Sequence, residues 1–196
     1  TSGYSTSIKI DTLLGTRSDN STDYQLASLH GKRVVMTDEI PEGKKLNEGV
    51  VKSVTGGESI VARNPYEKPY EFEPTHKLWL AGNHKPKIAG TDLGIWRRIH
   101  LIPWLHTIPS DQRRPMHEVL AEFRSELPGI LNAALAGWID FQERGQRLDP
   151  PAAVLEAVEE YHDEEDVFGR FLAERIEDSP GNDVLVKDVK NAFLAW

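Results

Sequence analysis

The hydrophobic pattern of this chain changes its period at Pro109, and that change constrains the fold more than any other feature. Before it, apolar residues come in short runs or alternate two apart, bounded by Gly, Pro and Asn. After it they recur three and four apart. Runs of strand type followed by runs of helix type predict an α/β part and then a helical part, and the ordinary globular composition, 39% hydrophobic and 28% charged, speaks against wholesale disorder, a collagen-like chain or a coiled coil. In the first part, short strands are expected at 34–36, 59–63, 70–73, 77–81 and 98–103, and a short helix at 46–54 that Gly56-Gly57 ends. Residues 1–23, rich in Ser and Thr, are expected to be loop with short elements. Between 59–63 and 70–73 the turn formers Asn64-Pro65-Tyr66-Glu67-Lys68-Pro69 predict a β-hairpin with a long tip. In the second part Val119, Leu120, Phe123 and Leu127 share a face. Pro128 is then expected to start a second helix carrying Ile130, Ala134 and Trp138. Val154, Val158 and Tyr161, then Phe168, Phe171, Leu172 and Ile176, and finally Leu185, Val189, Phe193 and Trp196 mark three further helices, with a linker at Leu148-Asp149-Pro150-Pro151.

Composition narrows the function classes. The 196 residues contain no cysteine, which rules out a disulfide scaffold or a thiolate metal site and fits a cytoplasmic setting. The seven histidines have no zinc-like spacing. The longest apolar run, 129–139, is too short for a membrane helix and carries Asn132, and the N-terminus has no signal-peptide pattern. The net charge of -8 is uneven: residues 1–110 hold 14 Lys and Arg against 12 Asp and Glu, and the remainder is strongly acidic. Seven acids fall among the eleven residues 156–166, a pattern expected of a solvated helix face, with an acidic docking patch as the alternative.

Four features of the first half carry chemistry. The strand at 34–36 runs into Thr37-Asp38-Glu39. Acids at a strand end can hold Mg²⁺ through water and polarise an attacking water, although acids there also serve as turn formers. The strand at 77–81 delivers Asn83, whose amide can bond a water or a phosphate oxygen. Lys52 and the hairpin tip, with Lys68, Tyr66, Tyr70 and Phe72 at or near it, offer a cation and flat rings to a nucleic-acid backbone and its bases. Arg97 and Arg98 precede Ile99, where a guanidinium can reach a phosphate. Each feature alone also has an ordinary structural reading.

In order and spacing, these residues resemble the superfamily 3 helicases of phages, plasmids and DNA viruses, with the nearest likeness to the C-terminal half of primase-helicases of the poxvirus type. The resemblance runs from about Tyr4 to Trp104. It rests on Gly31-Lys32-Arg33, Thr55-Gly56-Gly57-Glu58-Ser59-Ile60-Val61-Ala62-Arg63, Lys77-Leu78-Trp79-Leu80-Ala81-Gly82-Asn83-His84-Lys85-Pro86 and Trp96-Arg97-Arg98-Ile99. It implies an AAA+-like P-loop NTPase core over 1–107, a helical lid over 108–148 and the start of a winged-helix-like region over 149–196. It also implies an ATP- and Mg²⁺-dependent helicase that moves on single-stranded DNA as a hexameric ring, with a primase domain upstream. Asp38 and Glu39 would be its Walker B acids, Asn83 its sensor, Arg98 with Arg97 its finger to the neighbouring subunit, and Lys52, Lys68 and Tyr66 its DNA contacts. The family's phosphate loop, Gly-x-x-x-x-Gly-Lys-Ser/Thr, does not occur in these residues. The chain is therefore expected to be a fragment that begins after that loop and does not hydrolyse or tightly bind ATP by itself. The alternative is a non-enzymatic DNA-binding or assembly module.

Overall fold

The computed structural model describes residues 3–14, 20–90 and 93–196. It resolves into two compact units: Thr1–Ile99 with Val158–Trp196, and His100–Ala157. The first holds a parallel sheet of β1 (Ser5–Ile8), β2 (Val34–Thr37) and β5 (Lys77–Trp79), ordered β1-β2-β5. The register sets Ser7 beside Met36 and Met36 beside Trp79. The central strand buries Val35 and β1 buries Ile8, while Met36 and Trp79 are about half exposed. β2 is thus buried on one face only, and β5 has no buried residue. Parallel strands need long crossovers. The one between β1 and β2 carries α1 (Asp11–Leu14) and α2 (Asn20–Ala27).

The crossover from β2 to β5 carries α3 (Glu48–Thr55) and the antiparallel hairpin of β3 (Ile60–Ala62) and β4 (Tyr70–Phe72). Asn47 caps α3 by accepting the Val50 N–H at 3.1 Å. At the other end Gly57 takes φ +88°, a left-handed turn that a side chain would strain, and the chain leaves for the hairpin. The helix buries Val51 and Val54, three apart on one face.

After β5 the chain forms α4 (Leu93–Trp96) but no strand at 98–103. The N–H groups of Arg98 and Ile99 close the turn that ends α4, on the carbonyls of Ile95 and Trp96, so the first residues of the expected strand are already used. In the second unit α5 (Met116–Glu143) runs unbroken through Pro128. A proline costs a helix ~3 kcal/mol, but residues on both sides propagate cooperatively, and one missing bond does not split it. Its apolar residues, Leu120 through Trp138, are all at least partly exposed. From residue 158 onward α6 (Ala152–Glu165) belongs to the first unit, as do α7 (Val167–Arg175) and α8 (Val186–Ala195). Phe171 is fully buried against the rings of Phe168, Phe193 and Trp196 at centroid distances of 6.1, 5.2 and 5.8 Å. No helix of the described residues is long and apolar enough to cross a membrane.

Candidate functional site at the strand ends

Because β2 and β5 are parallel neighbours, their C-terminal ends lie on the same side of the sheet, where α/β proteins place ligands. There the structure brings two of the expected residues together: the Asn83 amide donates to the Glu39 carboxylate at 2.8 Å. Both side chains are exposed, so the pair can still reach a ligand. Asp38 has a different partner. Its Oδ1 accepts the backbone N–H of Ile10 at 2.5 Å, which ties the end of β1 to the end of β2. Of the two adjacent acids, one is committed to architecture and the other faces Asn83.

The loops beyond both strands are stitched together. Leu46 N–H donates to the Lys87 carbonyl at 2.9 Å and Lys87 N–H to the Lys44 carbonyl at 2.7 Å. A Cβ on Gly82 would lie 3.3 Å from the Ile40 nitrogen, which shows how closely the two strand ends approach. Arg97 is exposed, and the Arg98 guanidinium folds back onto the Gly94 carbonyl of its own helix. Neither arginine bonds to Glu39 or Asn83.

The hairpin divides its aromatics by height. Tyr66 at the tip is fully exposed at φ +66°, unusual for a residue with a side chain, and Lys68 beside it is exposed too. The Asn64 amide donates to Glu67 at 2.8 Å and holds the turn. Tyr70 and Phe72, expected near the tip, instead pack at the base. His30 lies 5.6 and 5.0 Å from their rings, and the Tyr70 hydroxyl donates to the Ala27 carbonyl at 3.4 Å. The residues at 70–72 pair with 60–62, and that register keeps them below the turn. Lys52 sits in the last turn of α3 and pairs with Glu48 at 3.6 Å. Its ammonium is thus engaged, at least in part, within its own helix.

His76, just before β5, is buried, and neither ring nitrogen has a hydrogen-bond partner. Burial lowers its pKa below 6.5 and Lys77 adds to this; the nearby Val54 backbone opposes it only in part. Among the described residues no cluster of three or more His, Asp or Glu could hold a metal ion. Glu39 offers one carboxylate to a hydrated Mg²⁺, but no described residues form a cradle for the β and γ phosphates of ATP. The described residues alone therefore do not fit the full nucleotide.

In the acidic run at 156–166, Glu156, Glu159, Glu160, Asp163 and Glu164 are exposed, as a solvated helix face requires, but the C-terminal end of the run also has partners within the chain. Glu164 pairs with Lys85, and Glu165 accepts the Ile88 N–H at 2.9 Å. Asp166 caps α7 by accepting the Gly169 N–H at 2.8 Å. The C-terminal end of the run is thus occupied by the chain's own backbone and Lys85. Tyr161, readable as core from its spacing, also donates its hydroxyl to the Pro86 carbonyl. No sequence signal ties these residues to the loop after Asn83, because the contacts span 75 or more residues.

The profile of a "Family of unknown function (DUF5906)" matches residues 5–98, the segment that contains the sheet, the hairpin and Arg98. The chain is similar to proteins of large DNA viruses. It is 26% identical to "Putative helicase 022R" of Frog virus 3, an alignment covering 98% of this chain and 21% of that protein. It is 28% identical to "Putative helicase L207/L206" of Acanthamoeba polyphaga mimivirus, over 91% of this chain and 20% of that protein. It is 24% identical to "Putative primase C962R" of African swine fever virus, over 86% and 19%. The chain spans about a fifth of the length of these curated relatives.

Proposed function

We propose that these residues form part of a replicative helicase-primase, of the superfamily 3 type, which moves on single-stranded DNA as an ATP-driven ring. The observation that carries the reading is the Asn83–Glu39 contact at the ends of two adjacent parallel strands. An amide beside a carboxylate can hold and orient a water against a phosphoryl group. ATP with Mg²⁺ would supply the group that is transferred. Its phosphate loop would have to come from outside these 196 residues. In this reading Glu39 positions the water, Asn83 fixes Glu39, and Arg98 turns away from Gly94 to meet a phosphate held by the next subunit. Asp38 keeps the strand end in place. Lys68 and Tyr66 contact DNA, with Lys52 behind them.

Steady-state ATP hydrolysis by the full-length polypeptide tests this. Glu39→Gln and Arg98→Ala should each abolish turnover, and mixing the two variants should restore part of it. A mixed ring contains interfaces with one intact Glu39 and one intact Arg98. No recovery at any mixing ratio, with mixed rings confirmed by mass, removes the role in trans. Full activity in Glu39→Gln removes Glu39 from the catalytic role, and absence of ATP hydrolysis in the wild-type polypeptide leaves the DNA-binding or assembly module.

A further inference from the structure

The loop that follows Asn83 is held mainly by side chains from elsewhere in the chain. Along 86–90 the Pro86 carbonyl accepts from the Tyr161 hydroxyl, and the Ile88 N–H donates to Glu165 at 2.9 Å. The Gly90 N–H donates to Glu48 at 2.7 Å, and the Gly90 carbonyl accepts the Trp96 indole N–H at 2.8 Å. Lys87 uses both its backbone groups on Lys44 and Leu46, in the loop after β2. Lys85 pairs with Glu164 and lies 5.1 Å from the Tyr161 ring centroid. Tyr161 and His162 in turn meet the edge of Trp96 at 5.2 and 4.9 Å. Pro86, Ile88 and Tyr161 are buried, so an unmade bond here leaves a polar group without water. A loop with this many distant partners loses its position when a few of them are removed.

We propose that Tyr161, Glu164 and Glu165 on α6 are positioning residues that clamp the 84–90 loop and thereby hold Asn83 against Glu39. Only one to two residues separate Asn83 from Lys85 and Pro86, so displacement of the clamped segment moves the Asn83 backbone with it. The same displacement loosens the Lys87 contacts to Lys44 and Leu46, which fix the far side of the Glu39 loop. The C-terminal helices thus control the geometry of a strand-end pair more than 75 residues earlier in the chain. The significance of that pair for phosphate chemistry rests on the function proposed above, but the clamp itself does not.

The test uses the 196-residue chain and nuclear magnetic resonance. Tyr161→Phe removes one oxygen and keeps the ring packing. Glu165→Ala removes the acceptor for Ile88, and Glu165→Gln keeps one. Glu39→Ala marks where the Asn83 side-chain amide resonance lies when its partner is gone. Tyr161→Phe and Glu165→Ala should each speed Ile88 amide exchange about fivefold or more, as loss of one net hydrogen bond implies. Each should also shift the Asn83 side-chain resonance toward its Glu39→Ala position. Glu165→Gln should return both signals close to wild type, and Val35 exchange in the central strand should stay unchanged in all three. The clamp is overturned if Ile88 exchange rises while the Asn83 resonance stays in place. It is equally overturned if Val35 accelerates as much as Ile88, since the effect is then global unfolding. These readouts report the contact itself, so failure of the clamp is distinct from failure of the ATP reading.

Discussion

Replacing Asp38 and Glu39 one at a time should separate two acids that the sequence presents as a pair. Ile10 is 4% exposed, and its N–H donates to Asp38 at 2.5 Å. Asp38→Ala leaves that buried donor unpaired, at a cost of ~1–3 kcal/mol. The exposed side of Asp38 admits water once the carboxylate is gone, which places the expected loss in the lower half, ~1–2 kcal/mol. Asp38→Asn keeps an acceptor without the charge and should cost about half as much. Glu39→Gln removes charge from an exposed contact and should stay within ~0.5 kcal/mol. The assay is native-state hydrogen exchange of the Val35 amide, whose opening reports the sheet. The ranking expected is Asp38→Ala, then Asp38→Asn, with Glu39→Gln at wild type. If Asp38→Ala matches wild type, or Glu39→Gln costs as much as Asp38→Ala, the division into an architectural and an available acid is wrong.

Buried, unpartnered His76 makes stability depend on pH. Its folded pKa is lowered, so its neutral form contributes full stability above pH 6.5. That contribution falls as pH drops from 6.5 toward the folded value, by up to ~1.4 kcal/mol per pH unit. Urea midpoints at pH 7.5, 6 and 5 should lose this slope in His76→Leu; an identical slope in that variant assigns the effect elsewhere. Phe171→Ala empties the centre of the α7–α8 ring cluster and should cost ~3–5 kcal/mol. Amide exchange in 167–195 should rise accordingly, and a loss under ~1 kcal/mol would mean that the cluster contributes little packing. On single-stranded oligothymidylate, Lys68→Ala should weaken binding and reduce the slope of log affinity against log salt by ~0.7. Tyr66→Gly should weaken binding through lost stacking while relaxing its φ of +66°. Fluorescence anisotropy across a salt series reads both, and unchanged affinity and slope in both variants would remove the hairpin tip as the contact.

Local chemistry made much of this fold readable from residues alone. Turn formers at 64–69 specify a hairpin, and the three-and-four spacing of Val154, Val158 and Tyr161 or of Phe168, Phe171 and Leu172 specifies helices. Each depends on neighbours within a few positions, so no knowledge of the remaining chain is needed. A strand ending in Asp38-Glu39 and another ending near Asn83 were legible for the same reason. Their meeting depended on tertiary structure, because only the parallel register of β2 with β5 places both ends on one side. Only tertiary structure separated Asp38 from Glu39, through a donor 28 residues away. It also gave the end of the acidic run to the Asn83 loop, and it left residues 98–103 without a strand. Periodicity tells which face of an element is apolar, whereas hydrogen-bond partners distant in sequence follow from how the elements pack, and packing decides which polar groups remain free for function.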